Sequence, residues 1–176
     1  AYVSLDAVED AISSYRAILD DFGADRPTLI ALAGLYEKAE RYRDLESTYE
    51  ADLGIATESA DRIALLTKMG DVRRKKLGEI ASSIEAYRQA LTIDPDAGEA
   101  RSALEELLGG DENARAEAAE ILRPLYEASG ANDKLLRVLD IQVEQASELD
   151  ARLDLLGRAA TVAEHALTDL PKAFAY

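Results

Sequence analysis

Residues 5–38, LDAVEDAISSYRAILDDFGADRPTLIALAGLYEK, decide how this chain is read, because the same apolar pattern returns 72 positions later without a gap. Leu5, Ile12, Tyr15, Arg16, Leu19, Ala31, Leu32 and Leu35 fall on Leu77, Ile84, Tyr87, Arg88, Leu91, Ala103, Leu104 and Leu107. A second shift, of 90, carries Leu32, Leu35, Tyr36, Glu37, Leu45, Ala56, Glu58, Arg62, Leu65, Leu66, Val72 and Leu77 onto identical residues from Leu122 to Leu167. Self-similarity at about twice a 35-residue period marks a helical solenoid, whose units bury their apolar faces only by stacking on their neighbours. The shifts differ by 18 residues, so the second module holds an insertion between Leu107 and Leu122, which Gly109-Gly110 marks as an additional helical element. A single repeat domain over 1–176 is expected, with modules at about 5–76 and 77–166 and a third starting at 167.

Working outward, the breakers set about ten helices. After Asp6, Val8, Ala11, Ile12, Tyr15, Ile18 and Leu19 recur three and four apart until Phe22-Gly23. Pro27 stands where a first-turn proline belongs and opens a second helix ending near Glu40. A third is expected over 44–56 and a long fourth over 58–76, ended by Leu77-Gly78. The fifth carries Ile84, Tyr87, Ala90 and Leu91 and closes at Asp94-Pro95-Asp96. The sixth spans 97–108 and the seventh 112–129, where Pro124 removes a backbone donor and should bend the axis. Helices over 133–147 and 148–166 follow, and Pro171 opens a tenth.

Composition fits a helical array: 48% hydrophobic residues, with only 10 Gly and 4 Pro, mostly between periodic segments. A net charge of -15 repels a polyanion at long range, which argues against nucleic acid and for a basic or neutral partner. With no cysteine there is neither disulfide nor thiolate metal site. No apolar run approaches the ~20 residues that cross a bilayer, so no membrane partner is expected. The start, Ala1-Tyr2-Val3-Ser4, shows no targeting signal, and the cytoplasm is the default compartment. Arginine over lysine and abundant alanine suggest a GC-rich bacterial source.

The run Ser83-Ile84-Glu85-Ala86-Tyr87-Arg88-Gln89-Ala90-Leu91-Thr92-Ile93-Asp94-Pro95 resembles the second helix of a tetratricopeptide repeat, where a small residue, an aromatic, an alanine and a proline recur at these intervals. Gly70 matches the small residue of that family's first helix, where backbones approach closely. Leu32-Ala33-Gly34-Leu35-Tyr36 shows the same first-helix pattern one unit earlier. The chain departs from the family at Gly23, which replaces the proline, at Leu45 and Leu135, which replace the small residue, and over Gly70 to Ser83, one residue too long. The resemblance implies an all-α, right-handed superhelix of antiparallel helix pairs, and a non-catalytic scaffold or adaptor that binds a peptide or protein in a groove lined by first helices. The alternative it leaves open is a regulatory or targeting segment of a larger enzyme or signalling protein.

Stacked helical pairs curve and leave an extended inner face free of the core. In the fourth helix, Ile63, Leu66, Met69 and Val72 form the core stripe, which leaves Ala64, Lys68, Asp71 and Lys75 on an opposing stripe. Its counterparts are Ala31, Gly34 and Lys38 in the second helix, and Asp154, Arg158, Thr161 and His165 in the ninth. Lys38, Lys68, Lys75 and Arg158 suggest a locally basic groove for an acidic or C-terminal peptide, with Asp71 and His165 beside them. Thr67 and Asp71 occupy two places where some relatives clamp a terminal carboxylate, so that clamp is not expected here.

Other chemistry is not expected. Arg73-Arg74-Lys75-Lys76 reads as cations favoured by a helix C-terminus rather than a phosphate patch. Asp94, Asp96 and Glu105 have calcium-loop spacing, but Pro95 lies inside it and Glu99 stands where the sharp-turn glycine belongs. His165, the sole histidine, has no nucleophile motif to serve. No catalytic, cofactor or metal residue is assigned. Tyr15, Tyr49 and Tyr87 are read as packing residues. Because Val3 to Leu5 and Phe174 to Tyr176 lack polar capping elements, either further repeats in a longer chain or end-to-end self-association is expected.

Overall fold

The structure, a computed structural model, describes residues 2–166 and 170–176; for helical residues 2–6, 165, 166, 172 and 174 it describes the backbone alone. Each of the ten expected helices is found, and no strand is present among the described residues. They are α1 (Tyr2–Phe22), α2 (Arg26–Lys38), α3 (Tyr42–Ile55), α4 (Ser59–Val72), α5 (Ile80–Ile93), α6 (Gly98–Leu107), α7 (Glu112–Ser129), α8 (Asn132–Gln145), α9 (Leu149–Thr161) and α10 (Leu170–Ala175). The third module expected from residue 167 begins outside the described residues. The chain forms two compact units, residues 1–100 and 101–176.

In the first unit, α1 packs on α2, α2 on α3, α3 on α4 and α4 on α5, each helix against its sequence neighbour. Short connections enforce this order, and local chemistry places the breaks. Asp25 caps α2 by accepting from the Thr28 amide at 3.1 Å, with Pro27 in the first turn. Ile12, Leu32, Tyr36, Leu45 and Val72 close a core against which Val8, Tyr15, Leu19, Leu35, Tyr49 and Leu77 pack. The tyrosines are thus packing residues, and Tyr87 is fully buried. In the second unit, α7 packs on α8, α8 on α9 and α9 on α10. Asp111 caps α7 through the Ala114 amide at 2.9 Å, and Gly130 closes it at φ 68, a left-handed conformation that favours glycine.

Two departures from the repeat pattern acquire physical reasons. The extra residue between Gly70 and Ser83 is absorbed by a single π-helical turn, Arg73–Leu77, that extends α4. There the Gly78 amide reaches back five residues to the Arg73 carbonyl, which also accepts from the Glu79 amide at 2.8 Å. A matching π turn, Val162–Ala166, ends α9. The 18-residue insertion is a second helix of α2 type, since both α6, through Leu104 and Leu107, and α7, through Leu122 and Leu125, carry the pattern of Leu32 and Leu35.

Between α4 and α5 the helices meet closely at Gly70. A methyl group on Gly70 would sit 2.4 Å from Cε1 of the Tyr87 ring, well inside contact distance. The Tyr87 hydroxyl donates to Asp71 Oδ1 at 2.7 Å, so the ring can neither retreat nor rotate freely. Burial and that neighbouring carboxylate push the phenol pKa well above its ordinary range, and the hydroxyl stays a donor. Overpacking of this kind costs about 1–3 kcal/mol. Gly70→Ala is therefore expected to lower the melting temperature by about 5 °C in thermal denaturation followed by circular dichroism. An unchanged Tm would show that Tyr87 yields without cost.

Candidate functional site

Within the first unit, α2 and α4 flank a cleft of about 410 Å³ whose floor is α3. Small residues on the facing helices, Gly34 and Ala64, keep it open, and a Cβ on Gly34 would meet nothing within 4 Å. Ile30, on its wall, is 59% exposed. The half-buried Tyr49 ring forms the floor, and the Lys68 ammonium lies 6.0 Å from its centroid. Burial, and then the charge of Glu37 on the opposite wall, raise the Tyr49 phenol pKa, so the ring remains a neutral donor.

One end of this cleft is tied by Arg26. Its Nε donates to Asp52 Oδ1 at 2.9 Å, and its Nη1 pairs with Asp61, so one guanidinium links α2 to α3 and α4. Asp52 is buried, a position at which a carboxylate requires such a partner. The hydrogen bond from Arg26 holds the Asp61 carboxyl below its usual range, against a smaller effect of desolvation. Polar and charged groups thus line the cleft without a uniform sign.

Of the residues singled out from the sequence, Lys68 lines this cleft, as do Gly34 and Ala64 of the predicted stripes. Lys38 is exposed in the last turn of α2, where a cation suits the helix dipole. Asp71 and Lys75 pair with each other at 3.0 Å, and Asp71 also holds Tyr87. Arg158 and Asp154, paired at 2.9 Å, line an equivalent cleft of about 510 Å³ in the second unit, between Glu127 of α7 and the faces of α8 and α9. The side chain of His165 lies outside the described residues. Carboxylates accompany the cations in both clefts: Glu37, Asp52 and Asp61 in one, Glu127 and Asp154 in the other. Sequence reasoning missed Glu37, Tyr49 and Arg26 as lining residues, although Glu37 and Glu127 stand among the identities of the 90-residue overlay.

The basic tetrad is taken up by the fold. Arg73 pairs with Glu46 at 2.5 Å and Glu50 at 3.0 Å, Lys75 with Asp71, and Lys76 lies 5.0 Å from the Tyr42 centroid. Asp94 Oδ1 accepts from the Asp96 amide at 2.9 Å in the turn after α5, while Glu105 takes the Tyr126 hydroxyl and Lys134, both at 2.7 Å. Among the described residues no group of three or more His, Cys, Asp or Glu is placed to hold a metal ion. No helix of the described residues is long and apolar enough to cross a membrane.

The Arg26 tie has a pH signature. Because the folded-state pKa of Asp61 is depressed, its contribution is fully present above the ordinary aspartate range and is lost as pH falls below that range. The Tm difference between the parent and Asp61→Asn is expected to narrow on acidification from pH 6 to pH 3, and Asp52→Ala to lower Tm more than Asp61→Ala because Asp52 is buried. A pH-independent difference would remove Asp61 from the account.

Residues 28–63, covering most of α2, all of α3 and the start of α4, match the tetratricopeptide repeat family model. No curated protein matches the chain. Repeats of this family generally mediate protein–protein interaction, and their all-helical fold is typically non-catalytic. With α2 and α3 as the matched helix pair and consecutive helices packed on one another in each unit, the match supports a tetratricopeptide repeat over this stretch.

Proposed function

We propose that this chain is a non-catalytic interaction scaffold that holds a segment of a partner protein in the cleft between α2 and α4, with Lys68 and Glu37 as its polar contacts. The observation that carries the reading is the cleft itself: Gly34 and Ala64 leave room for a backbone, and Tyr49 and Ile30 offer apolar surface to its side chains. A cation and a carboxylate on opposite walls suit a segment of mixed charge better than a wholly acidic one. Arg158 and Glu127 would repeat this arrangement in the second unit, since they are the counterparts of Lys68 and Glu37 under the 90-residue overlay. Asp71 and Lys75, paired to each other on α4, and Lys38 at the end of α2 are assigned to the rim.

A peptide selected against the whole chain from a random library tests this reading. The double variant Lys68→Glu with Arg158→Glu is expected to weaken such a peptide by about tenfold or more, with Tm little changed because both side chains are exposed. Affinity unchanged in isothermal titration calorimetry would dismiss both clefts as the binding surface.

A further inference from the structure

The 90-residue overlay that relates the two clefts also shows that their walls are held differently. In the first unit Arg26 of α2 binds Asp52 of α3 and Asp61 of α4, so the α4 wall is tied to both other helices. Arg62 of α4 adds a second tie, donating to the Leu53 and Ala56 carbonyls at the end of α3, each at 3.3 Å. Continued along α2 and α7, the overlay gives Ala116, Gln142 and Ala151 as the counterparts of Arg26, Asp52 and Asp61, and none of the three carries a charge. Where Asp52 accepts from Arg26, Gln142 Oε1 is buried and has no hydrogen-bond partner among the described residues. Arg152, identical to Arg62 in the overlay, is exposed, whereas Arg62 is half-buried. Burial divides the units in the same way. The α4 helix buries Leu65, Leu66, Thr67, Met69, Gly70 and Val72, while of its described residues α9 buries Ala159 alone and leaves Leu149 69% and Leu153 56% exposed.

We infer that α9 opens away from α8 as a unit while the rest of the chain stays folded, so that the second cleft is assembled only when α9 docks, whereas the first is preformed. The cost of such an opening is set by the area it uncovers and the bonds it breaks. Opening α4 uncovers six buried residues and breaks the bonds of Asp61 and Arg62 to the other helices. Opening α9 uncovers one, and the closed packing it leaves holds a buried acceptor without a donor, which lowers its stability. Asp154, Gly157 and Arg158, which line the second cleft from α9, leave with the helix. A partner segment that bridges Glu127 and Arg158 therefore binds the docked form and shifts the population toward it. Only this last step rests on the scaffold reading; the opening does not.

Hydrogen exchange of the full 176-residue chain, read by mass spectrometry with no partner present, tests the opening. Protection of amides 153–161 is expected to be lower than that of their counterparts 63–71 by at least about tenfold. Arg26→Ala, which cuts the tie in the first unit, should lower the protection of 63–71 by at least about threefold more than that of α8. The triple variant Ala116→Arg, Gln142→Asp and Ala151→Asp, which builds the tie into the second unit, should raise the protection of 153–161 by at least about threefold. If one variant fails to fold, the other decides. Equal protection of the two stretches in the parent, or a folded variant without its shift, would overturn the inference. Because no peptide enters the measurement, such a result leaves the scaffold reading standing.

Discussion

Each helix here has an apolar stripe that only the next helix can cover, and the α4–α5 contact shows how strict that dependence is. Tyr87 is fully buried because α4 has no side chain at Gly70, and it is oriented because Asp71, one residue further along α4, accepts its hydroxyl. The pair therefore meets in one register, and helices stacked on it inherit that register. The π turn at Arg73–Leu77 serves the same end, since it takes up the surplus residue and still delivers Ser83 and Tyr87 to the α4 face.

Charge is organised around the same stack. In a chain of net charge -15, arginines tie the helices together: Arg26 of α2 joins Asp52 of α3 and Asp61 of α4, and Arg73, after α4, pairs with Glu46 and Glu50 of α3. Arg41 joins Glu9 and Asp44 and lies 5.0 Å from the Tyr36 centroid. A planar guanidinium with several donors can serve two carboxylates at once, which a lysine ammonium does less well. The ties relieve carboxylate repulsion locally and fix the walls of the first cleft. Of the basic tetrad, Arg73 takes part in these ties, and Lys75 pairs with Asp71.

The two clefts show how a repeat diversifies without changing its fold. Positions whose side chains are consumed by packing are retained between units, as in Leu32 and Leu122 or Tyr36 and Tyr126. Cleft positions change in size and polarity, from Tyr49 to Leu139 and from Ala64 to Asp154, while Lys68 and Arg158 keep their charge.

The sequence by itself determined the helices and their order, because a stripe of period three to four and its return after 72 and 90 residues are properties of the chain alone. It also marked Gly70 as the small residue of a close approach, while the structure showed that the Tyr87 ring is what meets it. Only the tertiary structure decided which charges remain for a partner. Lys68 and Lys75 share one helix stripe and look alike in sequence, yet Lys75 is drawn to Asp71 while Lys68 lies over Tyr49 from another helix. Periodicity fixes the face of a helix on which a residue lies, but an ion pair or a ring contact depends on what another helix brings within a few ångströms, and that is set by packing.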